Sequence, residues 1–180
     1  MPEATPAPAA GDEPSLVARA QRDPAAFTAL YDRYVGRVYG YHLSRVGAPA
    51  DAQDLTAQTF LTALEALPRY RERGAFAAWL FQIARSKAMD FFRRRRPQVS
   101  LDLIEAMPAP AEAPLGELEP LRALMRALPA DERELLHLRY AADLKFGEIA
   151  AVTGQSEAAV KKAVYRLLAR LHAQLEPQHE

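Results

Sequence analysis

Residues 146–170 read FGEIAAVTGQSEAAVKKAVYRLLAR. The stretch divides into a short helical run from about Phe146 to Val152, a turn at Thr153-Gly154-Gln155, and a longer run that Ser156 can cap. That is the pattern of a helix-turn-helix. Ile149, Ala150, Val160, Val164 and Leu168 fall on facing sides and predict the contact between the two helices. Small Ala150 allows a close approach. Gly154 supplies a left-handed backbone that a side chain would strain. On the second helix, Lys161, Lys162, Tyr165 and Arg166 lie near the N-terminal half, the part of a recognition helix that enters a major groove. Lysine and arginine can pair with phosphates and with the acceptor edges of guanine. An ordinary helical hairpin with a solvated basic face has the same pattern.

Outward from this motif, helical spacing dominates and alternating strand-like runs are scarce, so the chain is expected to be all-α. Leu118, Leu121, Leu124, Met125 and Leu128 share one helical face, Pro129 breaks it, and Asp131 can start a helix through Tyr140. From 98 to 116 the periodicity fails. Pro108, Pro110 and Pro114 interrupt an acidic, alanine-rich stretch that is long for a connection inside one compact domain. Two small helical domains joined by a flexible linker are therefore expected. The first covers 14–97, the linker 98–116 and the helix-turn-helix domain 117–176. Residues 1–13 read as a disordered tail and 177–180 as a short one. Leu101, Leu103 and Ile104 are apolar, which would let part of the linker dock.

In the first domain, Asp23-Pro24 starts a helix, with an aspartate cap and proline at the first helical position. Phe27, Leu30, Tyr31, Tyr34, Val38 and Tyr41 follow as one apolar stripe. Gly47-Ala48-Pro49 ends that helix, and Asp51 can cap the next, which carries Leu55, Phe60, Leu61 and Leu64. Pro68 and Gly74 bracket a connector. A third long helix is expected from about Ala75 to Arg95, stopped by Pro97.

That third helix, FAAWLFQIARSKAMDFFRRRR from 76 to 96, mixes rings with bases. Trp79, Phe81, Phe91 and Phe92 stand among Arg85, Lys87 and Arg93, Arg94, Arg95 and Arg96. Rings that stack on unpaired bases, beside cations that follow phosphates, suit single-stranded DNA. Phe76, Trp79, Leu80 and Ile83 also share one face, however, and serve equally as core, while the arginine run can be a solvated helix end.

The chain has 180 residues, 49% hydrophobic, with formal net charge +0. The average hides blocks. Residues 67–97 hold nine Arg/Lys against two acids, 98–134 three against eight, and 135–175 six against three. Local rather than global contact with polyanions follows. There is no cysteine, which excludes disulfides and thiolate metal sites. No apolar run approaches a membrane span, and the first residues lack the basic and apolar regions of a signal peptide. A cytoplasmic protein is expected. His42, His137, His172 and His179 are scattered, with no phosphate loop and no Ser/His/Asp arrangement, so no catalytic residues, metal or cofactor are expected. Asp51 and Asp54 could share a helical face, but further ligands are missing nearby.

Three stretches, in order, resemble the sigma factors of the extracytoplasmic-function (ECF) type within the sigma-70 family. DAQDLTAQTFLTAL (51–64) is similar to the family's polymerase-binding helix, 76–96 to its minus-ten segment, and LPADERELLHLRYAADLKFGEIAAVTGQSEAAVKKAVYRLLARL (128–171) to its minus-thirty-five domain. The resemblance implies two helical domains and no enzymatic activity of its own. It implies that Asp51, Asp54, Leu55, Gln58, Thr59 and Phe60 face the clamp helices of the largest subunit of core RNA polymerase. Trp79, Arg85, Ser86, Asp90 and Arg93 to Arg96 would lie near melted minus-ten DNA, and Lys161, Lys162, Tyr165 and Arg166 in the minus-thirty-five groove. The acidic linker would thread the polymerase cleft. An anti-sigma partner is also implied, through which the chain would be held at a membrane. The sequence departs from the family pattern at Gln53 and Gln58, where Glu is usual, and at Ser86, where Asn is common. Lys145 replaces a usual Ser cap, Gly147 a common acid, and Ala163 a common Arg. A free-standing helix-turn-helix regulator of duplex DNA is the alternative, but it leaves 51–64 and 76–96 without a purpose.

Overall fold

The computed structural model describes residues 13–71, 76–95 and 119–175. The arginine at 96, the linker 98–116 with its three apolar positions, and the expected tails 1–13 and 177–180 lie outside these, except Glu13, which opens the first helix and meets Tyr34 and Arg33 instead of ending a tail. All described elements are helical. In chain order they are α1 (Glu13–Ala20), a 3-10 turn (Pro24–Ala26), α2 (Phe27–Val46), α3 (Pro49–Ala66), a second 3-10 turn (Leu67–Arg69) and α4 (Phe76–Arg95). Then come α5 (Glu119–Ala127), α6 (Ala130–Leu136), a π-turn (His137–Ala141), α7 (Phe146–Thr153) and α8 (Glu157–Leu175).

Local signals set most of the boundaries. Asp23 accepts from the Ala25 amide at 3.0 Å, so it caps the 3-10 turn that leads into α2 rather than α2 itself. Gly47 ends α2 at φ 75°, a left-handed C-cap. α3 then starts at Pro49, two residues before Asp51, because proline's fixed φ is already helical. Asp51 therefore sits in the first turn, where its charge suits the helix dipole, and is not the cap. Ser156 caps α8 as expected, accepting from Ala159 at 3.2 Å.

The α2 stripe is buried at Phe27, Leu30, Tyr34, Val38 and Tyr41, and packs on α3 and α4. Tyr31 departs from it. Its edge-on contact with Phe60 leaves 41% of it exposed. In α4, Phe76, Leu80 and also Phe81 are fully buried, with Trp79 and Ile83 packed at the margin. In the helix-turn-helix domain, Ile149, Ala150, Val160 and Val164 are buried between α7 and α8; Leu167, rather than Leu168, is the more buried of that pair.

The two helical domains do not stand apart. One cluster of buried side chains runs from Val17 through α2, α3 and α4 and on to Leu135, Leu138, Ile149 and Val164. The π-turn lies against α2, and α7 lies against α4. Sequence periodicity cannot show this joint, because each helix pattern reports only that it has a buried side, not which helix covers it.

Candidate nucleic-acid interface

The α7–α8 unit is held by its own turn. Gly154 sits at φ 72°, and its amide donates to Ala150 at 2.9 Å, closing α7. Lys145 offers no side-chain cap. Instead the Glu148 carboxylate accepts from the Lys145 amide at 2.7 Å, which supplies the returning half of a capping box. Gly147 lies close to the exposed Glu157 side chain, which can shift. A Cβ there would come within 3.2 Å of the Glu157 carboxylate at the head of α8.

α8 presents Lys161, Lys162, Tyr165 and Arg166 to solvent, all on the side away from α7's core contacts. Tyr165 is 54% exposed while one side of its ring leans on Phe146, centroids 5.8 Å apart. Ala163 is half-buried against the core, so this position looks inward rather than toward a groove.

α4 presents a second basic surface. Gln82, Ser86, Met89 and Arg93 follow one another at three- and four-residue steps on the open side, and all are exposed. Arg94 and Arg95 are exposed too; Arg95 reaches back to Asp51 at 3.2 Å and covers the Phe91 ring at 4.3 Å. Asp90 pairs with Arg93 at 2.9 Å. Arg85 points to the other side of α4, where its Nε lies 3.6 Å from Glu134. Phe81 belongs to the core and is removed from the set of exposed rings. Phe92 remains 38% exposed.

Beside Trp79 is a cavity of about 510 Å³, lined by Arg69, Tyr70, Arg71, Ala78, Trp79, Gln82 and Ala151. Trp79 and Tyr70 pack with ring centroids 4.7 Å apart and planes tilted by 44°. Two guanidiniums beside two rings match the chemistry of an unstacked nucleotide. Arg69, Tyr70 and Arg71 did not stand out in the sequence, because they lie in the connector and show no periodicity.

α3 divides the six residues expected to face the polymerase. Asp54 and Gln58 are exposed, with Gln53 and Leu61 beside them. Asp51 is tied to Arg95. Leu55, Thr59 and Phe60 are corrected: they turn inward, at 4%, 0% and 5% exposure, and serve the core. The Thr59 hydroxyl donates to the Leu55 carbonyl at 2.7 Å and meets His42 at 3.0 Å, so its proton is used inside the core. Among the described residues no three His, Cys, Asp or Glu side chains gather as a metal site, and no helix is long and apolar enough to cross a membrane.

Residues 30–98 match the family model Sigma-70 region 2, and residues 118–171 match Sigma-70, region 4. The ECF RNA polymerase sigma factor BldN of Streptomyces coelicolor is 37% identical over 166 residues, 87% of this chain and 63% of that protein. The chain thus spans less than two thirds of BldN's length. The ECF RNA polymerase sigma factor SigM of Bacillus subtilis is 31% identical over 150 residues, covering 80% of this chain and 91% of that protein. The structure of CnrH in complex with the cytosolic domain of CnrY superposes with a TM-score of 0.69 at 28% identity, over 89% of this chain and 95% of that one. With a region 2 built around α2–α4, a region 4 built around the α7–α8 turn, and these relatives, the chain belongs to the ECF sigma factors of the sigma-70 family.

Proposed function

We propose that this chain is an alternative sigma factor: it binds core RNA polymerase, carries it to promoters and captures the melted strand. The observation that carries this is the presence of two separate basic surfaces on one chain. The α8 face, with Lys161, Lys162, Tyr165 and Arg166 exposed, fits a duplex major groove. The α4 face, with Ser86, Arg93, Arg94 and Arg95 exposed and the ring-and-arginine cavity beside Trp79, fits single-stranded DNA. The outer face of α3, with Asp54, Gln58 and the 59% exposed Leu61, is the attachment surface for the polymerase clamp. The chemistry of RNA synthesis belongs to the polymerase.

A duplex-only regulator leaves the α3 face and the arginines of α4 unexplained. CnrH was solved with a protein partner, and that likeness supports an anti-sigma partner here, with the chain cytoplasmic or held near a membrane through it. Reconstitution with core polymerase and run-off transcription from a promoter library tests the proposal. Discrete start sites that depend on this chain are expected. A folded chain that binds the polymerase yet directs no start site refutes promoter recognition.

A further inference from the structure

One side-chain amide holds the connector that lines the cavity beside Trp79. Gln21 follows the last residue of α1. Its Nε2 donates to the Leu67 carbonyl at 3.1 Å and to the Tyr70 carbonyl at 2.6 Å. An amide nitrogen carries two protons, and both are spent here on backbone oxygens. The two carbonyls stand at the start of the second 3-10 turn and just past its end. Tyr70 is also where the backbone leaves the turn for an extended conformation, at φ −62° and ψ 132°. Gln21 thus clamps both ends of the bend that precedes Arg71.

The clamp has a fixed base. Val17 and Ala20 of α1 are buried in the core of the first domain. At the far end of α1, Glu13 accepts from the Tyr34 hydroxyl and lies 3.9 Å from Arg33 Nε. The Gln21 backbone amide donates to the Val17 carbonyl at 3.0 Å, so its main chain continues the helix. α1 is therefore pinned to α2, and Gln21 carries that position across to carbonyls 46 and 49 residues further along the chain.

The clamped residues belong to the cavity. The Tyr70 ring meets Trp79, centroids 4.7 Å apart, and Phe76, centroids 5.6 Å apart. Arg69 and Arg71, on either side of Tyr70 in the chain, are exposed and line the cavity. Ring packing holds the Tyr70 side chain, whereas the carbonyl clamp sets the direction in which its neighbours leave the backbone. A long cation binds a phosphate more tightly when its backbone is already in place, because less freedom is lost on binding.

We propose that Gln21 is the positioning residue of this cavity: by clamping the Leu67 and Tyr70 carbonyls it sets Arg69 and Arg71 on the rim, where they meet the phosphates of single-stranded DNA. Gln21 acts through the connector and does not touch the strand. This rests on the cavity being part of the single-strand surface.

Trp79 is the chain's one tryptophan, so its emission reports the cavity in the intact chain. In the parent, oligothymidylate is expected to change that emission, and Arg71→Ala to weaken binding. Gln21→Met keeps the length of the side chain and removes its donors; Gln21→Ala removes them by truncation. Both leave the buried side of α1 intact, and melting is expected to stay cooperative. Each should weaken oligothymidylate binding about tenfold, the factor expected when the aligned connector is populated about a tenth of the time. The dependence of affinity on salt should fall by about one to two phosphate contacts. Arg71→Ala should then add little in the Gln21→Met chain, since the two residues act through one arrangement. Parent affinity in the folded variants overturns the proposal. So does weaker binding with the parent's salt slope, or an Arg71→Ala cost as large in Gln21→Met as in the parent, because a merely structural role produces both. A parent chain that binds no oligothymidylate, or binds it with no change in Trp79 emission and no loss from Arg71→Ala, refutes the cavity as a strand site and the proposal with it. The tryptophan signal of the parent thus tells the two failures apart.

Discussion

His42 donates from Nε2 to the hydroxyl of Thr59, 3.0 Å away, in the buried seam between α2 and α3. The direction is fixed by the neighbour: Thr59 has one proton and gives it to the Leu55 carbonyl at 2.7 Å. His42 Nδ1 is buried without a partner. The ring must therefore be neutral, and burial, aided by the Arg45 charge, lowers its pKa to about 4.

A pH dependence of stability follows. Burial, with Arg45 and Arg133 nearby, also lowers His137 to about 3. Both rings are neutral in the folded chain and regain their usual value near 6.5 on unfolding. The unfolded chain then binds more protons, so stability is full above pH 6.5 and is lost as pH falls toward 4. The loss at pH 5 is on the order of 2 kcal/mol for each histidine. Thermal melts of the parent, His42→Gln and His137→Gln across this window check it. Each substitution is expected to flatten the acid slope, and slopes parallel to the parent's would contradict the assignment.

On α3, attachment and folding should separate. Asp54→Ala and Gln58→Ala change exposed side chains, so melting should stay near the parent's, within about 0.5 kcal/mol, while retention of core polymerase falls. Leu55→Ala removes a buried side chain and should cost about 2–5 kcal/mol of stability. Melts and polymerase pull-down on the same samples distinguish the two. A strong pull-down defect from a fully stable Leu55→Ala would place Leu55 at the polymerase instead.

On α4, the same comparison sorts rings from cations. Phe81→Ala should destabilise by about 3–5 kcal/mol, since Phe81 is fully buried against Tyr41, centroids 5.8 Å apart. Arg94→Ala, at an exposed position, should leave melting unchanged and reduce the salt dependence of oligothymidylate binding by close to one phosphate contact. A salt slope equal to the parent's would remove Arg94 from the surface that follows the strand.

At the turn before α8, Gly154→Ala should lower stability by about 1–2 kcal/mol through backbone strain alone, because nothing lies within 4 Å of the added Cβ at φ +72°. Gly154→Asn should cost less, as asparagine visits this region more readily. Equal melting of the glycine and alanine forms would show that the turn can relax.

What was legible in the sequence is what neighbours along the chain decide. The all-α class, the stripe of α2, the Gly154 turn, the Ser156 cap and the outward Lys161, Lys162, Tyr165 and Arg166 follow from periodicity and backbone restrictions, which act over a few residues. Periodicity on α3 and α4 was less decisive. Resemblance grouped Leu55, Thr59 and Phe60 with Asp54 and Gln58, but only packing against α2 shows which of them turn inward. Phe81 looked like Phe92 because both are rings in one helix; the Tyr41 contact makes one core and leaves the other at the surface.

The joint between the domains was invisible in the sequence for the same reason. Glu134 reads as an ordinary acid in an acidic block, and Arg45 and Arg85 as ordinary bases. Their meeting depends on backbone positions 89 and 49 residues apart, fixed by how α6 lies against α2 and α4. Sequence determined the helices, their caps and the charges they carry. Tertiary structure decided which charges meet, because burial and ion pairing depend on distance in space, and separation along the chain does not encode it.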